Sequence, residues 1–260
     1  MDSETIKQVS DKLFEALESR TTMEPLTSTY PDITIEDAYT ISLLLLERRL
    51  ARGEIVVGKK IGVTSEAVMD MLDVRQPDFG FITDAMRYDT EMPVSSHLIQ
   101  PRAEGELAFI LKRDLVGPGV TNADVIAATD AVLPCFEVVD SRIENWRIKI
   151  QDTVADNASC GFFALNEAAA IQPSKIALPD CRMIVTKNGE VISQGLGAAA
   201  MGDPVNCIAW LANTLGEYGI TLRSGDIILS GSLVPLEPVH AGDVMTVSVD
   251  GMGDCSVSFV

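Results

Sequence analysis

The chain has 260 residues, 47% of them hydrophobic and 22% charged, which is enough apolar content for one sizeable core and too much for a disordered or fibrous protein. Against 20 Lys and Arg stand 38 Asp and Glu, a formal charge of -18 whose field repels phosphate backbones and anionic membrane surfaces. No nucleic-acid or membrane partner is expected, and an anionic small-molecule substrate would need a bound cation and fixed positive side chains to reverse the local potential.

In chain order, Ile6, Val9, Leu13 and Leu17 recur at helical spacing and predict an amphipathic helix over 3–20. After a connector at 21–32, Thr34 can cap a second helix over 35–52, with Gly53 as its stop. The Ile- and Val-rich stretch 54–63 predicts a strand and 65–72 a helical turn, while Gln76-Pro77-Asp78-Phe79-Gly80 reads as a turn. Alternation over 100–111 and the apolar run 131–139 predict strands on either side of a short helix at 121–129. The small polar run 152–161 reads as a loop leading into an apolar strand at 162–165. Asn188-Gly189, between 183–186 and 191–193, is a preferred type I′ hairpin turn. Asp203-Pro204 supplies an N-cap and a proline at the first helical position of a helix that presents Val205, Ile208, Ala212 and Leu215 and stops at Gly219. From 220 to 260, short apolar runs punctuated by glycine turns predict a β-rich end. The expected fold is α+β: a mixed β-roll or sandwich, with a helical N-terminal region (1–53) packed on a catalytic β-roll (54–260).

Cys135, Cys160, Cys181, Cys207 and Cys255 are odd in number and widely spaced, with no C-x-x-C, and read as reduced thiols of a cytoplasmic protein. No signal peptide or membrane span is expected, the longest apolar stretches being far too short.

The clearest chemical signal is Glu104-Gly105-Glu106, because period-two alternation sets both carboxylates on one strand face, with Cα atoms roughly 6.5 Å apart. Such acids repel unless one is protonated or a cation lies between them. Glu137, inside the apolar run 132–139, is a third charge that needs a partner. Three carboxylates without a nearby histidine suit Mg2+ or Mn2+, with positions left open for substrate and water. The competing reading is a solvated face carrying two glutamates, against which only Glu137 argues. Lys59 and Lys60 lie between Gly58 and Gly62; alternation can turn one inward toward a substrate carboxylate or enolate, or both can be solvated. Asp78 can simply cap backbone amides, and the run 152–161 can present donors to a ligand or only make turns. Cys160 has no activating base and reads as an inert buried thiol. His97 and His240 lie outside these clusters and read as structural or surface groups, which leaves no histidine relay.

In this order and spacing, Gly58-Lys59-Lys60-Ile61-Gly62, Gln76 to Gly80, Pro101-Arg102-Ala103-Glu104-Gly105-Glu106, Phe136-Glu137-Val138-Val139-Asp140-Ser141-Arg142 and 152–161 resemble the hydratase and decarboxylase branch of the fumarylacetoacetate hydrolase superfamily. The resemblance spans essentially the whole chain. It implies that superfamily's fold, a homo-oligomer, and a divalent ion, Mg2+ or Mn2+, on Glu104, Glu106 and Glu137. It also implies that Lys60 stabilises an oxyanion or mediates proton transfer, that Asp78 is an acid or base at the far end of the substrate, and that Ser159 holds substrate or water. The decarboxylases share the paired glutamates, Glu137 and the Val-Ala-Asp-Asn-Ala-Ser core; Gln-Pro-Asp-Phe-Gly and the terminal Ser-Cys-Gly are hydratase-like. The implied activity is therefore metal-dependent hydration of 2-hydroxypenta-2,4-dienoate, from the meta-cleavage route for aromatic compounds, with 4-oxalocrotonate decarboxylation as the alternative. A C–C bond hydrolase of the superfamily would be expected to need a histidine-containing dyad. A complex with the sister decarboxylase is also implied. Asp203 departs from the His or Ser that relatives often carry there.

Overall fold

The structure, a computed structural model, describes residues 1–71 and 73–260; the predicted helix end at Leu72 lies outside the described residues. Helix α1 (Ser3–Ser19) buries Ile6, Val9 and Leu13, as the spacing requires. After the short α2 (Leu26–Thr29) comes α3 (Ile35–Ala51), which packs on α1. A reciprocal cap starts it: Asp37 N donates to Thr34 Oγ1 and Thr34 N to Asp37 Oδ2, each at 3.1 Å. Gly53, at φ +94°, ends the segment in a conformation that only glycine adopts without strain.

The chain continues through β1 (Val56–Gly62), α4 (Glu66–Met71), β2 (Asp78–Thr83), β3 (Glu91–Met92), α5 (Val94–His97) and β4 (Arg102–Leu111). Then follow α6 (Asn122–Ala128), β5 (Thr129–Val139), α7 (Ile150–Ala155), β6 (Cys160–Leu165) and the hairpin β7 (Arg182–Lys187) and β8 (Glu190–Leu196). Helix α8 (Pro204–Glu217) precedes β9 (Ile227–Leu229), β10 (Glu237–Pro238), β11 (Val244–Val249) and β12 (Gly253–Phe259). Asn188 and Gly189 have φ of 55° and 86°, the double positive φ of a type I′ turn. Asp203 Oδ1 accepts from Val205 N at 2.9 Å and caps α8.

Two sheets organise the molecule. A seven-stranded sheet has the order β2-β1-β9-β4-β5-β6, with β10 also on β4, and a five-stranded sheet has the order β3-β12-β11-β7-β8. The first is mixed, since β9 runs parallel to β1 and antiparallel to β4. The sheets meet at Gly105, where a Cβ would come within 2.8 Å of Met183 Sδ and 3.2 Å of Val185 Cγ2 on β7. The glycine between the two glutamates therefore lets the second sheet close on the face opposite their side chains. One continuous apolar core joins the helical N-terminal region to both sheets. The α+β expectation and the helical N-terminal region are borne out.

Two local expectations are corrected. Asp78 to Gly80 form the start of β2, buried throughout, and not a turn. Pro77 lacks an N–H and cannot extend the ladder, so the strand begins immediately after it, while Phe79, Phe81 and Ile82 supply the apolar side chains that keep it buried. The run 152–161 is not one loop, because its first residues belong to α7. Ile150, Val154 and Ala155 are buried, and Asp152 accepts from Lys149 N at 2.8 Å and from Thr27 N and Oγ1 at 3.0 and 2.8 Å. Asp152 thus caps and tethers the helix and does not serve a ligand. All five cysteines are free and buried, and no helix among the described residues is long and apolar enough to cross a membrane.

Candidate active site

Strand register assembles the site. Glu104 pairs with Glu137 across β4 and β5, and Glu106 pairs with Cys135, so all three carboxylates share one face. Leu229 of β9 pairs both with Ala108, two residues beyond Glu106, and with Lys60 of β1. Lys60 pairs in turn with Gly80, and Gly62 with Asp78 of β2. Period-two alternation therefore brings Lys60, Asp78, Glu104, Glu106 and Glu137 to the same face from four of the sheet's strands. Lys59 faces the other way, where its Nζ lies 2.5 Å from Asp226 Oδ2. Both lysines are buried, and only Lys60 belongs to the carboxylate cluster.

Glu106 and Glu137 have no solvent exposure, and Lys60 and Asp78 keep 3% and 2%. One oxygen from each of the three glutamates lies within 4.8 Å of the others. Lys60 Nζ sits 3.0 Å from Glu137 Oε1, an ion-pair contact that lacks the alignment of a directed hydrogen bond. Gly231 N donates to Glu106 Oε2 at 2.9 Å. Glu106 Oε1, Glu137 Oε2 and Asp78 Oδ1 are buried and find no hydrogen-bond partner among the described residues.

These surroundings disfavour so much negative charge. Burial, reinforced by Glu137, pushes Glu104 up to about 8. Burial also raises Glu106, where Glu137 and Glu104 add to it, and raises Glu137 and Asp78 against the opposing pull of Lys60. Burial works against the Lys60 ammonium, but Glu137 and Asp78 outweigh it and hold that group above its usual range. Four carboxyl groups around one ammonium leave orphaned oxygens that a cation would satisfy. An all-carboxylate donor set fits a hard divalent ion such as Mg2+ or Mn2+. Cys160 is no competitor as a ligand, since burial and the Glu137 charge push its thiol up to about 12.

Ser159 lies in a buried turn just before β6, where its hydroxyl shares a 3.1 Å hydrogen bond with Thr153 Oγ1. The turn 157–159 that carries it packs against β2, and its hydroxyl makes no hydrogen bond to the carboxylates. The Gly231 amide that holds Glu106 carries no local sequence signal; Arg142 stands at the end of the 136–142 motif, and its burial with Nε 2.5 Å from Asp156 Oδ1 is what the motif does not announce. His97 and His240 are exposed.

Residues 65–260 match the family described as fumarylacetoacetate (FAA) hydrolase C-terminal. The chain belongs to the fumarylacetoacetate hydrolase family. Within that family it is 64% identical over 222 residues to a 2-hydroxypent-2,4-dienoate hydratase of Pseudomonas putida, an alignment covering 85% of this chain and 100% of that protein. It is 55% identical over 261 residues to a 2-hydroxyhexa-2,4-dienoate hydratase of Comamonas testosteroni, covering 99% of this chain and 98% of the relative. Among solved structures, a 4-oxalocrotonate decarboxylase from Pseudomonas putida G7, complexed with magnesium and adipate, is similar at a TM-score of 0.96 and 35% identity. That match covers 100% of this chain and 99% of the decarboxylase.

Proposed function

We propose that this fumarylacetoacetate hydrolase family member hydrates 2-hydroxypenta-2,4-dienoate to 4-hydroxy-2-oxopentanoate in the meta-cleavage degradation of aromatic compounds. The observation that carries the reading is the cluster of three glutamates on one face, Glu104 half-buried and Glu106 and Glu137 buried with oxygens that lack hydrogen-bond partners, beside the buried Lys60. Glu104, Glu106 and Glu137 would hold Mg2+ or Mn2+, which supplies a Lewis acid for the carboxylate and 2-oxygen of the substrate.

The remaining chemistry belongs to the chain. Lys60, held charged by its acidic neighbours, stabilises negative charge on the 2-oxygen or relays the proton released there. Asp78 lies on the same face with one oxygen free, and burial raises its carboxyl, the direction that suits a group delivering a proton toward C5. Loss of the enol proton and gain of one at C5 give the conjugated 2-oxo-3-enoate. Water then adds its oxygen at C4 and a proton at C3. Ser159 would hold substrate or water at the β2 edge. Burial of the cluster excludes bulk water from the reacting carbons.

A second reading, decarboxylation of 4-oxalocrotonate, is favoured by the close match in fold to the decarboxylase, but the named hydratases share far more of this sequence. A C–C bond hydrolase is disfavoured by the exposed position of both histidines. A homo-oligomeric assembly and association with a sister decarboxylase follow from the resemblance, and a cytoplasmic location from the five free, buried cysteines. The deciding experiment follows the ultraviolet loss of fresh 2-hydroxypenta-2,4-dienoate with Mg2+ or Mn2+, before and after chelation, beside 4-oxalocrotonate. Metal-dependent loss of the dienoate with 4-hydroxy-2-oxopentanoate as product is expected. Release of carbon dioxide from 4-oxalocrotonate with no dienoate hydration would overturn the reading in favour of the decarboxylase.

A further inference from the structure

Strands β2 and β6 are the two ends of the seven-stranded sheet. An end strand presents unpaired N–H and C=O groups on its outer edge, and where it is buried those groups need partners. Strand β2 is buried along its whole length. At Phe81 both groups are satisfied by one side chain: Phe81 N donates to Asn157 Oδ1 at 2.8 Å, and Asn157 Nδ2 donates to Phe81 O at 2.9 Å. In an antiparallel ladder a residue's N–H and C=O point to the same side, so this pair faces away from β1. The carboxamide reproduces the donor and acceptor of a neighbouring strand in one plane, a combination that only Asn and Gln side chains offer.

The turn that carries Asn157 is held from the other end of the sheet. Asn157, Ala158 and Ser159 all have left-handed backbones, with φ of 55°, 51° and 53°. Non-glycine residues in that region cost about 1–3 kcal/mol each and persist only where the surroundings over-determine them. Arg142 does so, since its N donates to Asp156 Oδ2 at 2.8 Å, Nη2 to Asp156 O at 2.7 Å and Nη1 to Cys160 O at 3.3 Å. Asp140 N donates to Ser159 O at 2.8 Å. On the β2 side the turn lies against Gly80, where a Cβ would come 2.5 Å from Asn157 O. Asp78 is two residues further along the same strand, and Gly62 leaves room for its carboxyl beside Lys60.

We infer that Asn157 is a positioning residue: its side-chain amide stands in for the missing neighbour of β2 at Phe81, closes the sheet at its seam, and so fixes Asp78 against Lys60. The kinetic arm of the test rests on the proposed hydration; the exchange arm does not. Asn157→Leu removes both bonds at similar volume, and Asn157→Asp keeps the acceptor but sets a carboxylate oxygen against the Phe81 carbonyl. Both are expected to lower kcat for the dienoate on the order of a hundredfold, as sub-ångström to ångström misplacement does. Substrate KM and Mg2+ Kd should stay within about threefold, because the substrate and metal contacts themselves are not removed. By amide hydrogen exchange, the Phe81 N–H of the wild-type protein should be as protected as the β2 amides that face β1. In the variants it alone should exchange faster.

A wild-type kcat in Asn157→Leu would overturn the inference, and so would a parallel collapse of kcat and metal affinity, which marks general loss of the site. Should neither variant fold, the wild-type exchange decides, since a Phe81 amide exchanging at the rate of an exposed one leaves no clamp. Wild-type protein that hydrates no dienoate with either metal would overturn the proposed function, while the Phe81 exchange would still report on the clamp.

Discussion

Glu106 has one carboxylate oxygen on the Gly231 amide and the other buried with no hydrogen-bond partner among the described residues. Replacing it with glutamine keeps the volume and the contact to Gly231 but removes one of the three carboxylates that would face the ion. Glu106→Gln is therefore expected to weaken Mg2+ binding by about a hundredfold or more, with hydration lost accordingly and the fold retained. Calorimetric titration with Mg2+ beside the ultraviolet assay checks this; undiminished turnover in metal-stripped variant protein would remove Glu106 from the metal site. Asp78→Asn keeps shape but ends proton exchange. It should lower kcat by about a hundredfold with KM changed little, because proton transfer matters in the transition state. A pure rise in KM would make Asp78 a binding residue. These side chains were legible in the sequence because chemistry and periodicity coincide there: two glutamates two apart, and a third acid inside an apolar run. The Gly231 amide was not legible, since it meets Glu106 across 125 residues of chain, and Asn157 was not, since its role depends on a left-handed turn that its sequence does not announce.

Among the elements, those with their own punctuation were readable. Thr34 and Asp37 mark the start of α3, Asp203-Pro204 that of α8, and Asn188-Gly189 the β7–β8 turn. Elements defined by their neighbours were not. Strand β2 hides behind a Gln-Pro-Asp-Phe-Gly run with turn composition, and α7 behind Asp, Thr and Asn residues whose local preference is overruled by burial of Ile150 and Val154. The β7–β8 turn permits a clean test of local against distant effects. At Gly189 a Cβ would meet nothing within 4 Å, so substitution is opposed by the φ of 86° alone. Gly189→Ala should cost about 1 kcal/mol of stability through that backbone conformation. Because the hairpin belongs to the five-stranded sheet, kcat should be unchanged. Urea unfolding midpoints and the ultraviolet assay read the two quantities, and a fall in kcat would show that the second sheet couples to the site.

For the molecule as a whole, the acidic composition signalled the need for a cation, but topology was beyond reach, because nothing local says that β9 inserts between β1 and β4. That insertion is what brings Lys60 and the glutamates onto one face, and it ties the stability of the whole fold to the charge of the cluster. Glu104 stands at about 8 when folded and metal-free, against an ordinary value of 4.5. Between those values the unfolded chain has released this proton while the folded chain retains it, so the unfolded state binds fewer protons and stability falls as pH rises. The stability conferred by the retained proton is complete below the unfolded value and gone above about 8. Glu106 and Glu137 shift in the same direction and add to the effect. A bound divalent ion favours the ionised carboxylates and cancels this cost, so metal uptake should release protons and strengthen with pH. The rise in Tm on adding Mg2+ to chelated protein is thus expected to be small near pH 5 and to grow toward about pH 8. Differential scanning calorimetry across that range, with and without Mg2+, measures it; a Mg2+-induced shift that stays constant with pH would mean that the three glutamates are not the groups the ion neutralises.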